Sequence, residues 1–225
     1  RFLTDAFTTY IVAGLSNYMN ERGYTLSLQG VSADRIDSVP ILNHLQTDAL
    51  CVIASGTPEE RREIYRRLDA ARQPVLIIEE LAPNFLKDAM SVRQDDYGGG
   101  AMLARHVLSR GARKLIYIKE AHAWPALENR QAAVVASAKA HGRGASVAEI
   151  ICPSVSLEGV STALQAHVSE HGAPDAVLCG NDQIAIAALR WFADQNVTVP
   201  DDVLVTGFNA FDLGHLAQPA LTTVR

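Results

Sequence analysis

The sequence predicts an α/β protein built on doubly wound parallel sheets. Short β-rich runs alternate with amphipathic helical windows along the whole chain, the signature of βαβ units with right-handed crossovers. Asp48 to Ser55 is a continuous apolar run of strand length, as expected for a strand covered on both faces. Directly after it, Thr57-Pro58-Glu59-Glu60 combines an N-cap, a proline at the first helical position and a capping-box glutamate.

Taken in order, Ile11, Leu15 and Tyr18 fall at helical spacing and predict a helix from Phe7 to Arg22, stopped by Gly23. Thr25 to Leu28 reads as a strand, Asp48 to Ser55 as the next, and a helix starts at Pro58. Strands then follow at Val75 to Ile78 and Met90 to Arg93, a helix at Tyr97 to Ser109 closed by Gly111, and a strand at Lys114 to Lys119. The remainder reads as helix Ala126 to Ala140, strand Val147 to Cys152, helix Leu157 to Glu170 and strand Ala176 to Leu178. Helix Gln183 to Asn196 and strand Val203 to Gly207 complete the series. One sheet of all these strands would approach the limit of about ten for a twisted open sheet, so two smaller sheets are expected. The crossover is placed at Ser91 to Tyr97, giving an N-terminal lobe over 1–94 and a C-terminal lobe over 95–225, with a ligand cleft between them.

The 225 residues are 48% hydrophobic and 20% charged, which excludes a disordered chain, a coiled coil and a disulfide mini-protein. Net charge is −5, so the average composition advertises no surface for a nucleic-acid backbone. No apolar stretch approaches the roughly 20 residues of a membrane span. Cys51, Cys152 and Cys179 lie far apart in or beside apolar runs and are expected as buried free thiols in a reducing compartment.

Several motifs invite chemistry that their context does not support. Gly98-Gly99-Gly100 at a helix start fits neither phosphate-binding glycine pattern, and close helix packing explains it better. His167-Val-Ser-Glu-His171 matches a zinc-protease pattern, but it sits at a polar helix end without a third ligand, so no metal and no cofactor is expected. There is no G-x-S-x-G elbow, and Asp95-Asp96 and Asp201-Asp202 read as caps and solvated turns, so no reacting group stands out. Two features look like ligand chemistry instead. Arg130 is the only cation between Ala126 and Val135 and follows aromatic Trp124, a donor fork beside a stacking surface. Gly180-Asn181-Asp182 and Phe208-Asn209-Ala210 each follow a strand at its carboxyl end, where ligands bind in open α/β sheets, although Asn181 and Asp182 are also good helix caps.

These residues also carry a resemblance. Val177 to Leu189 (VLCGNDQIAIAAL), Val199 to Asn209 (VPDDVLVTGFN) and Pro219 to Arg225 (PALTTVR) resemble the C-terminal signature of the lactose-repressor/galactose-repressor (LacI/GalR) family of bacterial transcription regulators. Val92 to Gly99, Arg105 to Leu108 and Arg110 to Ile116 resemble that family's middle region, and Asp5 to Phe7, Gly14-Leu15 and Arg22 to Tyr24 its start. The resemblance implies a periplasmic-binding-protein-like core of two lobes. In such regulators a small effector, a sugar or similar molecule, binds between the lobes and shifts how a homodimer presents its headpieces to operator DNA. The headpiece lies outside this chain, and the family core runs further at both ends. The resemblance further implies a cytoplasmic regulator with no membrane partner and no enzymatic activity.

Carried over by position, the resemblance places Asp5 and Phe7 on the N-lobe wall with Glu79 or Glu80, of which Glu80 is taken, as a looser match, and Trp124, Ala126, Arg130, Asn181 and Asn209 on the C-lobe wall. Asn209 stands where family members usually carry an effector-binding aspartate. Loss of that carboxylate leads to the expectation of an anionic effector, a sugar acid or phosphorylated sugar, with Arg130 as its counter-charge. The rival reading is the sugar-binding protein of a transporter, with the same lobes in the periplasm; a third is a doubly wound enzyme.

Overall fold

In the computed structural model, the described residues are 6–31, 47–70, 73–121 and 124–225. The chain divides into two units, 1–92 and 93–225.

In the first unit, α1 (Ala6–Glu21) is apolar by composition yet buries only Thr8 among the described residues. Strands β1 (Leu50–Val52), β2 (Val75–Ile78) and β3 (Ala89–Val92) pair in parallel in the order β1-β2-β3. Helix α2 (Pro58–Ala70) starts on the capping box: Thr57 Oγ1 accepts from the Glu60 N–H at 3.2 Å, and Glu60 Oε2 accepts from the Thr57 N–H at 2.7 Å. It presses Tyr65 and Leu68 against Leu50, Val75 and Ile77 to form this unit's core.

The second unit holds a parallel sheet in the order β5-β4-β6-β7. Its strands are β4 (Lys114–Glu120), β5 (Ser146–Cys152), β6 (Ala176–Cys179) and β7 (Leu204–Thr206). The intervening helices are α3 (Asp96–Ser109), α4 (Pro125–His141), α5 (Leu157–His171), α6 (Asp182–Asp194) and the short α7 (Asp212–Leu216). Alternation along the strands sends Ile116, Ile118, Val177 and Val205 to one face, against α5 and α6. Leu115, Tyr117 and Leu178 go to the other, against α3 and α4. All four residues of β6 are buried, as a central strand of a covered sheet requires. The result is two parallel-sheet α/β lobes.

Two expectations are corrected. Thr25 to Leu28 forms no ladder with any described residue; Leu28 is exposed, and so short a run takes strand form only where a neighbour completes its hydrogen bonds. Cys51 is exposed, whereas Cys152 and Cys179 are buried. β1 is an edge strand among the described residues, and alternation turns Leu50 inward and Cys51 outward. Helix α7 was not expected, because five residues carry too little periodicity to be recognised. No helix among the described residues is long and apolar enough to cross a membrane.

Cys51 should therefore react alone with a maleimide on the native chain, giving one adduct by mass, while Cys152 and Cys179 react only after unfolding. Neighbouring atoms still desolvate the Cys51 sulfur and raise its thiol pKa, so labelling should accelerate between pH 7 and pH 9.

Candidate functional site

Helix α4 turns Ala126, Leu127, Arg130, Ala133 and Val134 inward at helical spacing, so the one cation of the set is carried into the interior. Arg130 is 4% exposed. Its Nε donates to Asp96 Oδ1 at 2.8 Å, with Nη2 the same distance from that oxygen. Nη1 donates to the Gly180 carbonyl at 2.6 Å and Nη2 to Gln94 Oε1 at 3.2 Å. The guanidinium stacks 3.6 Å from the centroid of the Phe208 ring. Five donors on a rigid planar fork thus join the start of α3, the end of β6 and the end of β7.

Asp96 reaches Arg130 because Asp95 takes the capping role, accepting from the Gly98 N–H at 2.9 Å. The expectation that both acids serve as caps or solvated turns therefore holds for Asp95 and fails for Asp96, which is 4% exposed. The glycines explain the close approach. A Cβ on Gly100 would lie 2.7 Å from the Arg130 carbonyl oxygen, and one on Gly99 would lie 2.6 Å from the Phe208 ring. The triplet is a packing device between α3, α4 and Phe208.

The loops after β6 and β7 are tied together beside this cluster. Asn181 Oδ1 accepts from the Ile184 N–H at 2.9 Å, so Asn181 caps α6. Asp182 is fully buried and accepts from the Thr223 hydroxyl at 2.6 Å and the Phe211 N–H at 2.7 Å, while its own N–H donates to the Phe208 carbonyl at 3.0 Å. Desolvation raises the Asp182 carboxyl pKa; the hydrogen bonds from Thr223 and Phe211 oppose that shift without cancelling it. Between these anchors Asn209 and Ala210 adopt φ of 103° and 50°, a left-handed excursion that costs non-glycine residues of order 1–3 kcal/mol each and clusters at ligand sites. The Asn209 N–H donates to the Val224 carbonyl at 2.9 Å, and its side-chain Oδ1 is buried without a protein partner.

The second unit thus gathers Arg130, Asn181 and Asn209 around the carboxyl ends of β6 and β7. Trp124, half-buried, occupies the N-cap position of α4 two turns before Arg130 without capping it through its side chain. Phe7 and Glu80 belong to the first unit. Phe7 is half-buried on α1, and Glu80 Oε2 accepts from Arg61 Nε at 3.0 Å and from the Tyr65 hydroxyl at 2.8 Å. Asp5 lies outside the described residues. Sequence reasoning missed Gln94 and Asp96 as members of the cluster, and it singled out the segments of Asp182 and Phe208 without the roles these two side chains play. The one available signal was that each flanks a strand end or helix start already singled out. Arg130, expected as the counter-charge of an anionic effector, is already paired with Asp96. His167 and His171 pack with ring centroids 4.6 Å apart and planes tilted by 57°, and no group of three metal-ligating side chains occurs among the described residues.

Removing one member of the buried pair strands the other. Asp96→Ala should cost about 3–5 kcal/mol in urea unfolding of the second unit, while the double change Asp96→Leu with Arg130→Met should cost clearly less. Asp182 works in the opposite sense. In the unfolded chain its carboxyl ionises near the ordinary value, in the folded chain only at higher pH, so stability from this group is fully present below the ordinary value and is lost as pH rises through the shifted one. Relative to Asp182→Asn, the parent chain should gain stability when urea curves are moved from pH 7 to pH 4.5; no relative gain would contradict the assignment.

Residues 104–225 match the model of the periplasmic binding protein-like domain. The chain is 25% identical over 231 residues to the HTH-type transcriptional repressor PurR of Vibrio atlanticus, covering 98% of this chain and 66% of that protein. It is 25% identical over 228 residues to the ribose operon repressor of Escherichia coli K12, covering 98% of this chain and 67% of that repressor. A LacI family transcriptional regulator from Silicibacter pomeroyi superposes with a TM-score of 0.82 at 23% identity, over 99% of this chain and 83% of that one. The chain thus spans about two thirds of the length of the curated relatives it matches. With its parallel-sheet lobes and these matches, the chain belongs to the periplasmic binding protein-like domain family and is an effector-binding core of the LacI/GalR type.

Proposed function

We propose that this chain is the ligand-sensing core of a cytoplasmic bacterial transcription regulator, which binds a small polyhydroxylated effector such as a sugar and passes the occupancy to operator DNA through a headpiece. One observation carries the effector class: the Arg130 charge is balanced by Asp96 at 2.8 Å, so Arg130 offers no unpaired positive charge at the ends of β6 and β7. Such a surface suits neutral hydroxyl groups better than a carboxylate or phosphate, which would add an uncompensated negative charge beside Asp96 and Asp182. Asn209, in its strained conformation with a buried, unpartnered carbonyl, is the residue assigned to read an effector hydroxyl. Asn181 and Trp124 supply an amide and an apolar wall. The regulator acts as a homodimer, and its mechanism is a two-state equilibrium that ligand biases only through unequal affinity for the two states. The names of the curated relatives, all repressors among those compared above, support regulation over transport, and no assigned role requires a reacting group.

A thermal-shift and calorimetry panel of neutral pentoses and hexoses, sugar acids and purines tests this reading. A neutral sugar at 100 times its Kd should stabilise the chain by about 2.7 kcal/mol. Asn209→Ala should weaken that ligand about tenfold or more, equivalent to roughly 1.4 kcal/mol. Sugar acids binding far better than their neutral parents would overturn the effector class, and turnover of any ligand would overturn the sensing role.

A further inference from the structure

A cavity of about 150 Å³ lies beside β7, between residues of α3, α6 and the C-terminal segment, and Arg130 is not among the residues that line it. Its walls include His106, Val107 and Arg110 from α3 and Pro219 and Thr222 from the C-terminal segment. On its floor is Thr206, whose backbone bridges Thr222 in parallel. Alternation along β7 puts the Thr206 side chain on the same side as Leu204, which packs in the α3 and α4 core, and opposite to Val205.

Thr206 is 1% exposed, and its hydroxyl has no protein partner. A buried hydroxyl left unsatisfied costs about 1–3 kcal/mol, and valine would fill the same shape without that cost. His106 and Arg110, one turn apart along α3, are the two basic residues that line the cavity, and no acidic residue is among those around it. The space is several times that of one water. The lining residues carry three kinds of donor: the threonine O–H, an imidazole N–H present in either charge state, and a guanidinium fork.

We propose that this cavity is a binding site for a small oxyanion of the phosphate, sulfate or carboxylate kind, separate from the effector site and independent of that reading. Thr206 Oγ donates to one anion oxygen from the buried end. His106 and Arg110 supply the N–H donors and the positive potential at the mouth. The wall formed by Pro219 to Thr222 continues into Val224, which receives the Asn209 N–H, so an anion here would brace the segment that holds the Asn209 loop.

The test is titration of the ¹⁵N-labelled chain with sodium phosphate against sodium chloride at matched ionic strength and pH, followed by two-dimensional NMR. Expected are saturable shifts at Thr206, Leu221, Thr222 and the His106 imidazole. Thr206→Val, a near-isostere without the hydroxyl, and Arg110→Gln should each weaken phosphate about tenfold, and Thr206→Ser should restore it. Equal responses to phosphate and chloride would mean that the cavity holds only water and would overturn the proposal. So would saturable shifts confined to Gly180 through Ile184, or an affinity unchanged by Thr206→Val.

Discussion

The buried ion pair between Arg130 and Asp96 is the constraint around which the second unit is arranged. Each charge, taken out of water singly, would carry a penalty of several kcal/mol, and together they are tolerable only because every contact is short and directional. That requirement explains features otherwise unrelated in sequence. Asp95 must cap α3 so that Asp96 can turn inward, Gly99 and Gly100 must lack side chains so that α3 can approach α4 and Phe208, and β6 must end at Gly180 with its carbonyl facing the guanidinium. A buried polar cluster is thereby locked at the carboxyl ends of the strands, and the loops after β6 and β7 are hung from it.

Much of this fold was legible in the sequence because the period of the apolar residues is a direct consequence of burial. Val75 to Ile78 was delimited to the residue, and the capping box at Thr57 announced the start of α2 from four letters. What failed has equally physical reasons. Thr25 to Leu28 has the composition of a strand, but composition does not supply a neighbour. Cys51 lies in an apolar run, but a run does not reveal which of its residues turns away from the core at a sheet edge.

The site was legible only in outline. Arg130, Asn181 and Asn209 stood out by their place after strands or near a helix start, yet their partners lie 34 to 50 residues away in sequence for Arg130 alone, a separation at which periodicity carries no information. Asp96 is one residue from an ordinary cap, and nothing in Asp95-Asp96 indicates which carboxylate turns inward. The expectation of an anionic effector came from Asn209, where a carboxylate is missing, while the pairing of Arg130 with Asp96 lies beyond what sequence spacing shows.

Asp182 gathers the start of α6, the Phe208 to Phe211 loop and Thr223 onto one carboxylate. Sequence order therefore misrepresents where the interior ends. Residues 221–224 are edge-of-chain by number and core by connection: Leu221 packs under β7, Thr223 closes the Asp182 clasp, and Val224 receives the Asn209 N–H. A boundary drawn at residue 220 for expression would not trim a tail; it would remove a tendon, leaving a fully buried acid without one of its donors and the Asn209 loop without its anchor.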